Sequence, residues 1–297
     1  MADQILSDEQ RLNQQLTLRD GRRLGYAEYG PGDGLPLLYF HGWPSSRLEA
    51  LAMKQVVAEL KFRVIAPDRP GYGLSDFKRE RTIADWVTDV RELTQQLGWS
   101  RFAILGISGG GPYALACAAS LPGALSKVLL VCGMGPTDTP EATAGMVPVN
   151  RWLLSFARTV PWLAQRLAPL CLRTLWGTGD QVLPEQIEAS LPERDRQTLS
   201  NQQLRKILTD SSREGLRNGV EGAAWEGFLY SKNWGFRLDQ IRVPVHLWHG
   251  EKDNIVPSSM GHFLSEHIPD CQAVFFPDDG HFSLPFNRMR EILKKAL

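Results

Sequence analysis

The sequence lacks an excess of charge, long apolar runs and paired cysteines. Its 33 lysines and arginines are balanced by 33 aspartates and glutamates, so it carries no electrostatic footprint for nucleic acid or for an anionic membrane. No stretch has the length and apolar character that a membrane span needs, and the first twenty residues have neither a basic start nor an apolar core. We therefore expect a cytoplasmic protein without stable membrane insertion. Its 4 cysteines show no C-x-x-C spacing and predict reduced, buried thiols.

The sequence also shows no motif for a metal-binding or a phosphate-binding site. His246 and His249 are three residues apart, but an odd spacing on a strand points the two side chains to opposite faces. The glycine-rich run Ser108–Gly111 lacks the lysine and the following serine or threonine of a phosphate-binding loop. We therefore predict no metal and no cofactor.

What is present is an alternation of apolar runs and helical patterns. Continuous apolar runs are typical of strands buried on both faces of a parallel sheet, and amphipathic stretches between them predict helices. A chain of 297 residues is long enough for one large domain or a domain with an insertion. The fold class predicted is α/β: a mostly parallel sheet with helices on both faces. After an initial hairpin, strands are predicted at 35–40, 62–66, 102–105, 128–131, 243–249 and 273–276, and helices at 48–60, 83–97, 113–119, 260–267 and 286–296.

The alternation stops after Gly133. From about residue 135 to about residue 230 the patterns are helical, and prolines divide them into short pieces. We interpret residues 1–134 and 231–297 as the core and residues 135–230 as an inserted helical cap. Arginines recur seven residues apart in it, at 151 and 158 and at 166 and 173. An arginine face in solvent with a leucine face packed on the sheet is the favoured interpretation, and a lid that opens on lipid is the alternative.

The clearest chemical signal lies between a predicted strand and a predicted helix. There the stretch Gly106–Gly110 has the pattern G-x-S-x-G. A serine on a sharp strand-to-helix turn needs small residues two positions before and after it, and glycine meets that need. In this context Ser108 is predicted to be a nucleophile.

With these residues the chain resembles the α/β-hydrolase family, and the resemblance covers nearly all of it. It implies an α/β-hydrolase fold with an inserted helical cap and a triad in the chain order serine, acid, histidine. The matching stretches follow the family's order: 41–44 (HGWP), 68–75 (DRPGYGLS), 106–110 (GISGG), 249–253 (HGEKD) and 279–281 (DGH).

The nucleophile needs a base and an acid. A serine hydroxyl is a poor nucleophile unless a base takes its proton, and that base is usually a histidine oriented by a carboxylate. His281 directly follows a buried strand, at the sheet edge where loops gather, and is the predicted base. Asp253 is the predicted acid because its loop matches the family best. Glu251 and Asp138 remain alternative acids.

Attack by the serine on a carbonyl carbon gives a tetrahedral intermediate with a negatively charged oxygen, the oxyanion. Two backbone N–H groups must stabilise this oxygen. One belongs to Gly109, the residue after the nucleophile. Pro44 has no N–H, so Gly42, Trp43 or Ser45 must supply the other, and similarity to the family's His-Gly-x-Pro loop assigns it to Trp43. Many family members have a bulky residue at the position of Gly109, so we also expect space there beside Ser108 that neighbouring side chains or the substrate must fill.

The function expected is that of a serine hydrolase that cleaves a small-molecule carboxylic ester through an acyl-enzyme on Ser108. The same triad could instead serve an N-terminal-proline peptidase, a lactonase or a hydrolase of carbon–carbon bonds. A peptidase of that kind needs a cap carboxylate for the substrate's amino group, and Glu185, Glu188 and Glu214 are candidates. A ligand receptor on the same scaffold is the alternative of another class, although it need not retain the whole triad. The oligomeric state stays open.

Overall fold

The computed structural model describes residues 7–137, 141–176 and 183–297, and an eight-stranded sheet lies at its centre. In space the strands follow the order β1-β2-β4-β3-β5-β6-β7-β8. β2 is antiparallel to both of its neighbours, and every other pair is parallel. The predicted α/β class is therefore confirmed. The strands are β1 Gln14–Thr17, β2 Arg23–Tyr29, β3 Leu35–Phe40, β4 Phe62–Pro67, β5 Phe102–Ile107, β6 Leu125–Val131, β7 Val245–Gly250 and β8 Cys271–Phe276.

Helices connect the strands and cover the sheet. Short 3-10 helices lie at Arg47–Met53, Ser108–Gly110, Glu141–Thr143 and Leu238–Gln240. The α-helices are α1 Asp8–Leu12, α2 Lys54–Glu59, α3 Trp86–Gln96, α4 Gly111–Ser120, α5 Pro148–Thr159, α6 Pro161–Trp176, α7 Glu185–Ser190, α8 Glu193–Leu199, α9 Gln202–Gly215, α10 Glu221–Tyr230, α11 Ser258–His267 and α12 Ser283–Lys294. None of the helices described is long and apolar enough to cross a membrane.

Both faces of the sheet carry a hydrophobic layer. Alternate side chains of a strand point to opposite faces, and in β3 Leu38 and Phe40 belong to the layer under α3 and α4. Leu37 and Tyr39 belong to the other layer, with α2 and α12. This double burial explains why the central strands are continuous apolar runs.

The structure differs from the predicted elements at their ends. The predicted helix 48–60 is a 3-10 helix followed by α2. β7 begins two residues later than predicted, because Pro244 has no N–H to donate to a neighbouring strand. α12 begins at Ser283, before the predicted start, since Pro285 is tolerated in a first turn. Between β6 and β7 the described residues form helices and turns without a strand.

Candidate active site

Ser108 sits on a sharp turn between β5 and α4. Its φ of 52° lies in the left-handed region, which a residue with a side chain rarely adopts. A Cβ at position 106 would lie 3.0 Å from the carbonyl oxygen of Gly110, and one at position 110 would lie 2.2 Å from the carbonyl oxygen of Phe40. Glycine at both positions therefore lets the turn form and presents the Ser108 hydroxyl above the sheet edge.

The structure brings Ser108, His281 and Asp253 into one hydrogen-bonded chain. The Nε2 atom of His281 is 2.9 Å from Ser108 Oγ, and its Nδ1 atom is 2.7 Å from Asp253 Oδ2. The other carboxylate oxygen of Asp253 accepts hydrogen bonds from the N–H groups of Ile255 and Val256. All three members of the chain are buried. The carboxylate is thus fixed from behind while it orients the imidazole.

The alternative acids do not take part in this arrangement. Glu251 points away to the surface, where its Oε1 atom is 3.1 Å from His262 Nε2. Asp138 lies outside the described residues. Among the described carboxylates, Asp253 is the one that hydrogen-bonds the His281 ring.

Burial and neighbouring charges shift the pKa of the His281 imidazole in opposite directions. Burial lowers the pKa of His281, but the charge of Asp253 and the hydrogen bond to it raise the pKa, and the charges of Asp195 and Glu49 add to this. The net result is a pKa above the ordinary 6.5. Asp253 therefore stabilises the protonated ring that a proton transfer from Ser108 would create.

Asp195, on α8, is a residue of the site that the sequence did not reveal. Its buried carboxylate accepts hydrogen bonds from the N–H groups of His281 and Ser283, each at 2.8 Å. A helix that begins Glu-Arg-Asp-Arg is typical of a solvated surface segment, so nothing in the pattern indicated this contact. Asp195 joins the loop that carries His281 to α8.

The loop after β3 lies beside Gly109, the residue that follows Ser108. A Cβ at position 109 would lie 2.9 Å from Trp43 Cβ, so the two predicted oxyanion donors are neighbours. The N–H group of Gly42, one of the alternative donors, donates instead to Glu49 Oε1 at 3.0 Å. The Trp43 N–H and the Gly42 carbonyl belong to the same peptide bond. The Gly42 carbonyl oxygen accepts a hydrogen bond from Arg69 Nη2 at 3.0 Å.

Of the two ways in which the space beside Gly109 could be filled, the structure shows a neighbouring side chain. The hydroxyl of Tyr230, on α10, lies 2.5 Å from where a Cβ at position 109 would be. It is 2.8 Å from the Gly109 carbonyl oxygen and 2.7 Å from Glu226 Oε1. A tyrosine that is 121 residues away in the chain takes the place that a bulky side chain would fill.

One buried carboxylate connects both sides of the oxyanion region. Glu226 forms a fully buried ion pair with Arg69 at 2.6 Å and also contacts the Tyr230 hydroxyl. Arg69 in turn donates to the carbonyl oxygens of His41 and Gly42. The sequence assigned the loop of Arg69 to turn geometry alone. In the structure, this arginine fixes the peptide that precedes Trp43.

Two cavities meet at Ser108. The larger, about 180 Å³, lies under α5, α6 and α10, and it is almost entirely apolar. The smaller, about 80 Å³, lies on the side of His281 and includes Glu49. A wider surface cleft of about 1040 Å³ near α2 and α9 contains none of these residues. Side chains that line the larger cavity include Met134, Leu154, Phe156, Leu167, Ala224 and Phe228.

The apolar faces of α5 and α6 line the larger cavity instead of packing on the sheet, which corrects part of the favoured interpretation. The side chains of Trp152 and Trp162 are 60% and 62% exposed to solvent. Of the four arginines, Arg173 pairs with Glu221 at 2.7 Å, and Arg158 donates to the carbonyl oxygen of Thr137. These two helices form the roof over Ser108.

The cap carboxylates considered for a peptidase line neither cavity. Glu188 forms an ion pair with Arg205, and Glu214 forms one with the buried Arg47. Glu185 is exposed on α7. None of the three is thus placed to hold a substrate's amino group beside Ser108.

Cys132 completes a group that resembles a metal-ligand set. Its thiol, Asp253 and His281 place potential ligand atoms within 4.8 Å of one another. Burial raises the pKa of this thiol well above its ordinary value, and the charge of Asp253 raises it further. The neutral thiol is a poor ligand because metals bind the thiolate. Both imidazole nitrogens are also already within hydrogen-bond distance of Asp253 and Ser108.

Comparisons with known proteins agree with this architecture. The model of the alpha/beta hydrolase fold family matches residues 36–287. A non-heme chloroperoxidase from Streptomyces lividans is 36% identical over 130 residues, which are 43% of this chain and 47% of that protein. The chain therefore spans about half the length of that relative. A pimeloyl-[acyl-carrier protein] methyl ester esterase from Legionella pneumophila is 26% identical over 260 residues, 86% of this chain and 90% of that protein.

Among solved structures, an esterase from Rhodococcus sp. ECU1013 has a TM-score of 0.66 and 23% sequence identity, and the match covers 95% of this chain and 96% of that one. An identity this low speaks for the fold alone. The family match, in contrast, extends from β3 into α12 and includes every residue of the hydrogen-bonded chain at Ser108. The chain belongs to the alpha/beta hydrolase fold family.

Proposed function

We propose that this protein is a serine hydrolase that cleaves small carboxylic esters through an acyl-enzyme on Ser108. The observation that carries the proposal is the hydrogen-bonded chain from Ser108 through His281 to Asp253, at the floor of an apolar cavity. In this proposal residues 135–230 are the cap that closes the cavity, and residues 1–134 and 231–297 are the catalytic core. The substrate is a small molecule, and no cofactor takes part.

The reaction begins with proton transfer. His281 Nε2 takes the proton of Ser108 as Oγ bonds to the carbonyl carbon of the ester, and the carbonyl oxygen becomes an anion. The N–H groups of Trp43 and Gly109 donate to that oxygen. The imidazolium then gives its proton to the alkoxide oxygen as the carbon–oxygen bond breaks, and the alcohol leaves. Water repeats the same steps on the acyl group and releases the acid.

A panel of 4-nitrophenyl esters with increasing acyl length, beside a prolyl anilide, tests the proposal. An apolar cavity of about 180 Å³ favours short to medium acyl chains. We expect kcat/KM to peak within that range and the anilide to react far more slowly. We expect no sudden rise in rate when the ester exceeds its solubility limit. Such a rise would instead indicate a lid that opens on lipid, and a preference for the anilide would indicate a peptidase.

The pH profile follows from the pKa of His281. The base must be neutral to accept the Ser108 proton, and its pKa lies above 6.5 because the effect of Asp253 exceeds that of burial. Activity should therefore fall as the pH drops through a midpoint higher than 6.5. In the Asp253→Asn variant that midpoint should move to lower pH. Rates of ester hydrolysis from pH 5 to pH 9 measure both, and an unchanged midpoint in the variant would contradict the role of Asp253.

Alanine at position 109 should damage the site through Tyr230. Its Cβ would lie 2.5 Å from the tyrosine hydroxyl and 2.9 Å from Trp43 Cβ, so one side of the oxyanion region must move. A displacement on the order of 1 Å costs roughly 10²-fold in rate. We expect Gly109→Ala to lower kcat by about that factor for every acyl length.

Tyr230→Phe removes the hydroxyl that the new methyl meets. In the double variant Gly109→Ala with Tyr230→Phe, part of the lost kcat should therefore return. Tyr26→Phe is the matched control, because this tyrosine's hydroxyl donates to Gln14 at the β1–β2 edge of the sheet and lines neither cavity. A double variant no better than Gly109→Ala alone would argue against the contact as the cause.

A further inference from the structure

Ser108 lies where two cavities of different chemistry meet. The residues that line the larger cavity include no aspartate, glutamate, lysine or arginine among those the structure describes. The smaller cavity includes both Glu49 and His281. A leaving alcohol must lie near His281 to receive its proton, which directs it to the smaller cavity and the acyl group to the larger one.

Glu49 is a buried carboxylate without a basic partner among the described residues. It follows the oxyanion loop in the 3-10 helix 47–53 and is 7% exposed. Its Oε1 atom accepts from the Gly42 N–H at 3.0 Å and from the Tyr39 hydroxyl at 2.5 Å, and both of these donors are neutral. Four other buried carboxylates each have an arginine partner: Asp68, Asp89, Glu226 and Asp279. Asp195 is held by neutral N–H groups as Glu49 is, but it does not line the smaller cavity.

The second oxygen of Glu49, Oε2, lies near the nucleophile. It is 3.3 Å from the Gly42 nitrogen, a longer contact than that of Oε1. A carbon at the Cβ position of Gly42 would lie 3.3 Å from Glu49 Oε2 and 3.8 Å from Ser108 Cβ, and Glu49 and Ser108 both line the smaller cavity. A substrate group that enters this cavity beside Ser108 therefore approaches the carboxylate.

The negative charge of a carboxylate in this position is unfavourable unless the substrate brings a positive charge. An unpaired buried charge is unfavourable, and a negative charge near Ser108 opposes the formation of an oxyanion. A cation carried by the substrate offsets both effects. The cavity of about 80 Å³ holds only a few non-hydrogen atoms, so the cation must be small and close to the scissile ester.

We infer that Glu49 forms a cation-binding subsite and that the preferred substrates are esters of small amino alcohols, with an ammonium group in the leaving alcohol. This rests on the proposed ester hydrolysis at Ser108. Glu49 is here a specificity residue, and the ammonium would donate to its Oε2 atom while the ester oxygen lies near His281 Nε2.

The test compares two esters of one acid, 2-aminoethyl butanoate and propyl butanoate. Their leaving groups have the same number of non-hydrogen atoms and differ in the charge of the terminal group. The rates are measured at pH 7 by release of butanoate, with an enzyme-free blank for spontaneous reaction. A hydrogen bond to a charged group corresponds to a preference of about ten- to a hundredfold in kcat/KM, and we expect the wild type to show this for the aminoethyl ester.

Two variants identify the source of that preference. Glu49→Gln keeps an acceptor for the Gly42 N–H but removes the charge, and it should reduce the ratio of the two kcat/KM values to about one. Gly42→Ala keeps the carboxylate but places a methyl group between it and Ser108, and it should also lower the ratio. Because each ratio is taken within one protein, a general loss of activity or folding cancels.

The outcomes separate this inference from the proposed function. Ser108-dependent hydrolysis of 4-nitrophenyl butanoate together with equal rates for the two test esters would overturn the Glu49 subsite alone. A retained preference in Glu49→Gln would overturn it as well. If neither variant folds, inhibition of the wild type decides: 2-aminoethanol should inhibit at a concentration at least about tenfold lower than 1-propanol, and equal inhibition would refute the subsite. Absence of all ester hydrolysis would instead contradict the proposed function.

Discussion

Replacing Ser108 with alanine should abolish ester hydrolysis, with a loss on the order of 10⁵- to 10⁶-fold in kcat. The variant has no oxygen to bond to the carbonyl carbon, and His281 and Asp253 then have no proton to move. Only binding and the oxyanion donors would remain. Initial rates with 4-nitrophenyl butanoate measure the loss.

The matched control is Ser265→Ala. Ser265 is a half-buried serine of α11 whose hydroxyl donates to a carbonyl of its own helix, so its loss should leave kcat within about twofold. The alanine at position 108 keeps the backbone of the turn, and its thermal unfolding midpoint should stay within a few degrees of the wild type. Comparable hydrolysis by Ser108→Ala would rule out a serine mechanism.

The second large effect is expected for Asp253→Asn, on the order of 10⁴-fold in kcat. The asparagine oxygen can still accept from the N–H groups of Ile255 and Val256, so the loop keeps its shape. Its amide nitrogen would then face His281 Nδ1, which favours the tautomer with the proton on Nε2. That tautomer cannot accept a proton from Ser108.

The two alternative acids of the sequence analysis serve as controls for Asp253. Glu251→Gln changes a group that is directed to His262 at the surface, and it should leave kcat within about twofold. Asp138→Asn tests the acid position after the preceding strand, and we expect it to be mild. A loss on the order of 10⁴-fold in Asp138→Asn, with a mild Asp253→Asn, would move the acid to the earlier strand.

The fold could be predicted because its determinants are local. β5 is buried at every position and is therefore a continuous apolar run, and α3 has the amphipathic pattern of a helix with one buried face. The turn that presents Ser108 could also be predicted locally, since glycines on both sides of the serine are required by atoms within the same turn and the adjacent strand. His281 and Asp253 each follow a strand that ends at the same sheet edge.

The supporting residues could not be predicted because their partners are distant in sequence. Glu226 meets Arg69 across 157 residues, and Asp195 meets His281 across 86. A charged residue on a short helix is usually solvated, and only the packed structure turns these two inward. Glu49 gave no signal either, since its partners Tyr39 and Gly42 belong to a strand and a loop with other evident roles.

The volume beside Gly109 is another feature that depends on a residue distant in sequence. A glycine in the sequence indicates a missing side chain, but it does not say what occupies the vacated volume. Here the hydroxyl of Tyr230 fills it and contacts the Gly109 carbonyl. Helix α10 thereby touches the same turn that presents Ser108.

Covalent labelling is the most direct test of whether Ser108 is the nucleophile. The protein is treated with a fluorophosphonate, its intact mass is measured, and the modified peptide is sequenced by mass spectrometry. The account predicts one adduct per chain, on Ser108, with no adduct in Ser108→Ala and a rate of labelling that falls when His281 becomes protonated. A wild-type protein that hydrolyses esters yet carries no adduct, or carries it on another residue, would contradict the account.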